Sequence, residues 1–249
     1  SLFQLQWLTG STDAIGWGCN NAMQAFFAWS TMVGETNWGN ATYASYDLVR
    51  EYDPQDRIRR HNTICTVGEY YSELNSKNGG YTYNVTESGY DNKCNIKKHV
   101  IGKIDDNGQS YQQSSGVNTY MMRLAEVYLN LAEAILGNNA STTDETALTY
   151  FNKVRVRAGM PELKSITYEN LRYERRIEFA FEEQRFYDVR RWKIGPETQT
   201  TLHGVRFVSP TEFKVTKTDI RTWNDRLYLT PVPHDEIVRS SVLKQNPGY

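Results

Sequence analysis

The sequence predicts a mainly α protein, with TPR-like stacked helix hairpins packed beside an irregular layer of loops and β-hairpins. Three observations predict it. Residues 118–194 contain successive stretches with apolar side chains at i, i+3, i+4 and i+7, the spacing of one helix face. Those stretches end at Gly137 and at Gly159 with Pro161, the residue types that stop helices. Residues 1–116 lack any such period and are broken by Gly and Asn clusters. The chain therefore divides into an irregular, aromatic-rich, ligand-facing region (1–116) and a helical region (117–249), expected to form one unit.

Taken in order, residues 1–7 alternate apolar and polar side chains, which predicts a strand from the outset and reads as part of something longer. A helix is expected over 21–33, with Ala22, Ala25, Phe26, Trp29 and Val33 on one stripe and Gly34 as its stop. A shorter helix is expected over 43–51, and hairpins through 81–83 and on either side of 105–108. From Tyr120 to Leu136, Leu124, Val127, Tyr128, Leu131 and Ile135 form one stripe, while Ala125, Leu129 and Ala132 make a second side apolar. That helix should be buried on most faces. Thr142 followed by Glu145 has the spacing of a capping box, opening a helix with Ala147, Leu148, Phe151, Val154 and Ala158 inward. A third helix should run from near Thr167 to about Gln184, burying Tyr173, Ile177, Ala180 and Phe181, and a fourth over 186–193 should end at Gly195. Helix pairs in series point to a stacked array.

The 28 Lys and Arg nearly balance the 29 Asp and Glu, for a net charge of -1, which argues against nucleic acid or an anionic membrane surface as partner. No apolar run approaches the ~20 residues that span a bilayer. Cys19, Cys65 and Cys94 are too few and too odd in number for a disulfide scaffold. His61 with Cys65 and Cys94 with His99 could be written as four zinc ligands, but tight turn-borne pairs are the usual zinc pattern, so separate buried thiols and surface imidazoles are expected instead, and no metal. The sequence has no HExxH, P-loop, GxGxxG or GxSxG signature, and no cofactor is expected.

Glu174, Glu178 and Glu182 share one helical face, which invites a paired-carboxylate glycosidase reading. Arginines at i, i+3 spacing offer a simpler account: Arg175 with Glu178, Glu182 with Arg185, Arg185 with Asp188 and Asp188 with Arg191 would make a ladder of ion pairs. Guanidinium neighbours lower a carboxyl pKa, whereas a catalytic acid needs it raised. The block is expected to be structural, with no catalytic residue.

A sugar offers apolar C–H faces and a rim of hydroxyls, so its site needs flat rings beside planar amides. Four of the six Trp and nine of the 17 Tyr lie in residues 1–116. Trp17, Asn37, Trp38 and Asn40 bring those chemistries together in glycine-rich loops, with Tyr43, Tyr46, Tyr81 and Tyr83 as further rings. Phe26, Trp29 and Trp192 are expected in the core, and Trp7 in a strand.

Several blocks carry a resemblance. Residues 123–134 (RLAEVYLNLAEA), 152–159 (NKVRVRAG), 174–182 (ERRIEFAFE) and 185–192 (RFYDVRRW) closely resemble the C-terminal half of the SusD/RagB family. So do 228–233 (YLTPVP), Glu236 with Ile237, and the closing 245–249 (QNPGY), while 53–60 is similar to that family's acidic and arginine-rich turn. The resemblance implies a glycan-binding lipoprotein on the extracellular face of the outer membrane, capping a SusC-like TonB-dependent transporter and holding the membrane only through a lipid anchor outside this chain. It further implies polysaccharide or oligosaccharide capture without catalysis. A TPR-like scaffold that binds protein is the alternative from another class, and glycoside hydrolysis the enzymatic one.

Overall fold

The structure is a computed structural model, and it describes residues 1–8, 21–28, 30–33, 42–84, 94–111, 114–198, 201–207, 213–220 and 222–249. Strand β1 (Phe3–Leu5) opens the chain, followed by helices α1 (Met23–Phe27) and α2 (Ser30–Val33). The helix expected over 21–33 is thus two short pieces. Ala28 between them is extended (φ -86°, ψ 160°), which turns Phe27, Ala28 and Met32 into the core and leaves Phe26 41% exposed, so Phe26 is not the core residue its spacing suggested. Trp29 lies outside the described residues.

Next come α3 (Tyr46–Val49), shorter than expected and capped by Ser45, and α4 (Arg57–Thr63). Strands β2 (Tyr70–Tyr71) and β3 (Tyr81–Thr82) pair antiparallel, giving the expected hairpin at 81. Residues 104–107 are not a hairpin turn but a helical turn, α5 (Ile104–Asn107). Asp106 is its anchor, accepting from the backbone N–H groups of Lys103, Asn75 and Ser76 at 2.7–2.9 Å. Strands β4 (Ser110–Tyr111) and β5 (Ser114–Ser115) pair just after it.

Strand β6 (Thr119–Met122) replaces the expected first turn of the long helix. It pairs antiparallel with β1, with Phe3 opposite Met122 and Leu5 opposite Thr119. Helix α6 (Leu124–Leu136) therefore begins only after an extended Arg123. It is not buried all round. Leu129, Ala132 and Leu136 are inside, while Leu124 and Val127 are 48% and 40% exposed. They continue an apolar surface formed by Leu2, Phe3, Leu5, Tyr120, Met121 and Met122, all exposed on β1 and β6. Among the described residues, this two-stranded ribbon with apolar side chains on both faces has no partner sheet or helix to cover it. The 249-residue chain alone is expected to self-associate in sedimentation velocity as concentration rises, and Phe3→Lys with Met122→Lys to abolish this. A monomeric parent at all concentrations would show that the surface is inert.

Strand β7 (Ser141–Thr142) leads into α7 (Glu145–Arg157), whose cap is Asp144, accepting from the Ala147 N–H at 2.9 Å. Thr142, the expected cap, is drawn instead into pairing with β8 (Ile166–Thr167). Helix α8 (Tyr168–Glu178) starts where expected, with Thr167 as its cap, closed as a box by Asn170. It stops six residues short of expectation. Lys98 Nζ and Arg123 Nη2 donate to the Glu178 carbonyl at 2.8 and 2.9 Å, a favourable place for cations at a helix C-terminus. Phe181 and Glu183 then take left-handed φ values of 62° and 65°, and α9 (Gln184–Arg191) follows. A long antiparallel hairpin, β9 (Thr201–Phe207) with β10 (Phe213–Ile220), and α10 (His234–Arg239) complete the order.

Helix α8 links two apolar cores. Its Ile177 enters the core around Phe27, Ile64, Tyr71 and Ile96, while Leu171 packs with Leu129, Phe151 and Val154 of the α6–α7 pair. Glu174 and Glu178 are therefore buried between the cores.

Candidate functional site

The segments that carry most of the expected ring platform, 9–20 and 34–41, lie outside the described residues, and with them Trp17, Asn37, Trp38 and Asn40. What is described is their anchorage. Asn21, after the first segment, bridges to Ser115, and its side chain donates to the Val117 carbonyl at 2.7 Å. Tyr43, after the second, bridges to Asn95, and the Ala44 N–H donates to the Cys94 carbonyl at 2.9 Å.

Asn95 is the hub. It is 2% exposed; its Oδ1 accepts from the Tyr83 hydroxyl at 2.6 Å, and its Nδ2 donates to the Phe27 carbonyl at 2.9 Å. Its side chain thereby ties the chain after α1 to the chain entering 85–93, while its backbone bridges to Tyr43 in the chain leaving 34–41. Nothing in periodicity marks Asn95; a buried amide between Cys94 and Ile96 is the only local sign of a polar group with obligatory partners.

The four candidate tyrosines, all among the described residues, separate into two pairs. Tyr43 and Tyr46 are half-buried, and Tyr46 carries the Arg50 guanidinium over its ring at 5.3 Å. Tyr81 and Tyr83 are core residues at 7% and 3% exposure, which corrects their expected role as ligand rings. The hairpin turns both inward because alternate positions of β3 and its continuation meet the core. Burial pushes the Tyr83 hydroxyl well above its ordinary pKa, so it stays a donor to Asn95. Trp7 and Trp192 are half-buried, Trp7 bonded to Thr119 Oγ1 and Trp192 to Glu133 Oε1.

His61, Cys65, Cys94 and His99 are not gathered as one ligand set. His61 stacks on Tyr71 with centroids 4.5 Å apart, His99 Nε2 is bonded to the Phe181 carbonyl at 2.9 Å, and both thiols are buried. Burial pushes the Cys65 thiol up to about 12.

The acidic face of α8 departs most from the expected ladder. Glu174, fully buried, accepts from Arg59 Nη1 at 2.5 Å and from Arg155 Nη1 at 2.8 Å. Glu178 accepts from Arg123 and Arg157, both at 2.6 Å, with Arg59 at 3.4 Å. Glu182 takes Arg123 and Lys98. Arg175 turns to Asp188 at 2.9 Å rather than to Glu178. Of the four expected i, i+3 pairs, Asp188 with Arg191 is the one present among the described ion pairs. Burial alone would raise the Glu178 pKa, but Arg123, Arg157 and Arg59 hold it below the usual carboxylate range. A general acid needs the opposite shift.

The family model described as the SusD family matches residues 6–249. The chain belongs to the SusD family. A SusD-like protein of Bacteroides ovatus is 40% identical over 195 residues, which is 77% of this chain and 34% of that protein. SusD-like protein P2 of Formosa agariphila is 33% identical over 228 residues, 82% of this chain and 39% of that one. Among solved structures, a SusD-like protein from Bacteroides fragilis matches with TM-score 0.76 at 40% identity over 100% of this chain and 54% of its own. A structure determined with xylogluco-oligosaccharide matches with TM-score 0.77 at 30% identity, over 97% and 52%. The chain thus spans about a third to a half of the length of these SusD-like proteins. The helix-rich architecture is that of the family, as the sequence predicted.

Proposed function

We propose that the protein captures a polysaccharide or oligosaccharide at the cell surface, without catalysis, for import through a SusC-like TonB-dependent transporter. It acts on the extracellular face of the outer membrane, held there by a lipid anchor. The observation that carries this reading is the 30%-identical structure determined with xylogluco-oligosaccharide, whose fold this chain shares over 97% of its length. The anchorage described above supports it, since Asn95 holds the chain on either side of 34–41 through Phe27 and Tyr43, and Asn21 holds the chain after 9–20. The binding residues are Trp38 and Trp17 as stacking platforms, Asn37 and Asn40 as amide partners, and Tyr43 and Tyr46 at the margin. The α8 carboxylates are saturated by guanidinium groups and serve stability.

Trp38→Ala in the full-length protein is expected to abolish binding to its cognate glycan in a panel read by affinity electrophoresis and calorimetry, with thermal unfolding unchanged. A single stacked ring contributes modestly, so the parent's Kd should fall nearer the millimolar than the nanomolar end, where 1 mM corresponds to about 4 kcal/mol. Unchanged binding by the variant would move the site elsewhere. Binding to no glycan at all would favour a protein-binding scaffold, for which the exposed apolar ribbon of β1 and β6 is the available surface.

A further inference from the structure

The expected ion-pair ladder fails at one position in a way that leaves a charge over. Glu182 is engaged by Arg123 and Lys98, and Asp188 by Arg175 and Arg191. Both carboxylates that the spacing offered to Arg185 are thus taken, and Arg185, half-buried, has no acidic partner among the described residues. It lines a groove of about 630 Å³ between α3, α9 and the turn Asp225–Tyr228. A ligand pocket commonly encloses a few hundred to about a thousand Å³.

The other charged walls of this groove do not neutralise Arg185. Asp47 faces Arg50 at 3.5 Å, Glu51 holds Arg176 at 2.9 Å, and Glu197 holds Arg172 at 3.2 Å. Arg190 lies over the Phe186 ring at 3.4 Å and donates from Nε to the Leu227 carbonyl, again with no carboxylate among the described residues. Burial and the neighbouring Arg176 push the Arg185 pKa below its ordinary value, outweighing the opposite pull of Asp188 and Glu51, neither of which pairs with it directly. A second donor at the same groove is also unanswered. The Trp223 indole N–H is buried with no acceptor among the described residues, its ring pressed so closely on Gly195 that a Cβ there would meet it at 2.0 Å. The groove therefore holds two cations free of carboxylates, an orphaned N–H, and the exposed ring of Phe186.

We propose that this groove is a subsite for an acidic sugar residue, whose carboxylate pairs with Arg185 while its ring lies against Phe186 and Trp223. The inference rests on the glycan-binding reading and adds a substrate class to it. A guanidinium presents parallel N–H donors that match a carboxylate in two-pronged fashion, and an aromatic wall suits the sugar's apolar face. A neutral sugar would leave the Arg185 charge unanswered.

The test is a ligand-observed NMR titration of the full-length protein with sodium glucuronate, glucuronate methyl ester and sodium sulfate. Saturable glucuronate binding is expected, at least about tenfold tighter than the ester, since a charge-assisted hydrogen bond is at stake. Arg185→Gln should lose the same factor while its melting temperature holds or rises, because the variant removes a half-buried charge that has no carboxylate partner among the described residues. Equal binding of the ester, unchanged binding by Arg185→Gln, or no saturable glucuronate binding would overturn the subsite. Sulfate binding tighter than glucuronate would also overturn it, leaving a plain oxyanion site. Neutral oligosaccharides that still bind through Trp38 in any of these cases leave the proposed function standing. A parent that binds no glycan of either kind ends both.

Discussion

Glu174→Ala is expected to destabilise the protein by about 3–5 kcal/mol, the cost of removing one partner from a buried ion pair. Glu174 has no exposed surface and accepts from guanidinium groups on two other segments, Arg59 of α4 and Arg155 of α7. Without it, Arg155 keeps the Pro161 carbonyl and Arg59 keeps Asp56, but the Nη1 groups that faced Glu174 lose a carboxylate between the two cores. In a chain of this size each kcal/mol moves the melting temperature by roughly 2–4 °C, so urea and thermal unfolding should both register the loss. A variant that melts with the parent would show that the network contributes little, and loss of a hydrolytic activity in such a variant would reopen the catalytic reading. Acid should act in the same direction. The folded-state pKa of Glu178 is depressed, so its stabilisation is complete above the unfolded value of about 4.3 and is lost as pH falls through the folded one.

The second large effect is expected at Asn95, and it should couple stability to binding. Asn95→Leu removes an acceptor from the Tyr83 hydroxyl and a donor from the Phe27 carbonyl, both deep in the first core. Each buried group left unpaired costs about 1–3 kcal/mol, so a loss of several kcal/mol is expected. Glycan binding should weaken with it, though Asn95 is too buried to touch a ligand, because the segment bearing Trp38 lies between Phe27, which its side chain holds, and Tyr43, which bridges to its backbone. Calorimetry well below the variant's melting point separates this from simple unfolding. Full affinity in a folded Asn95→Leu protein would show that binding does not depend on the hub.

The long helices were largely legible in the sequence, and the reason is range. The stripes of α7 and α8 and the Thr167 cap depend on residues three or four apart, and such interactions are present in any context the helix occupies. The errors arose where a distant segment competed. Residues 119–122 fit the helical stripe, yet they became strand because β1, more than a hundred residues earlier, supplied the pairing edge. The cap moved from Thr142 to Asp144 because β8 drew Thr142 into a ladder. Aromatic content pointed to sugar chemistry but could not tell Tyr81 and Tyr83, which face the core, from rings that face a ligand.

Sequence by itself determined the family, through long blocks such as 123–134 and 174–192, together with the helical character of the second region. Tertiary structure alone decided which cations meet which carboxylates. A local i, i+3 pair on a helix surface contributes only about 0.2–0.5 kcal/mol, whereas a carboxylate buried unpaired costs several. Once α8 is enclosed between two cores, Glu174 and Glu178 must take every guanidinium within reach, and Arg59, Arg123, Arg155 and Arg157 arrive from other elements to meet them. That same competition leaves Arg185 without a carboxylate partner among the described residues of its groove. Spacing along the chain cannot reveal this, because burial, and not sequence separation, sets the strength of each pair.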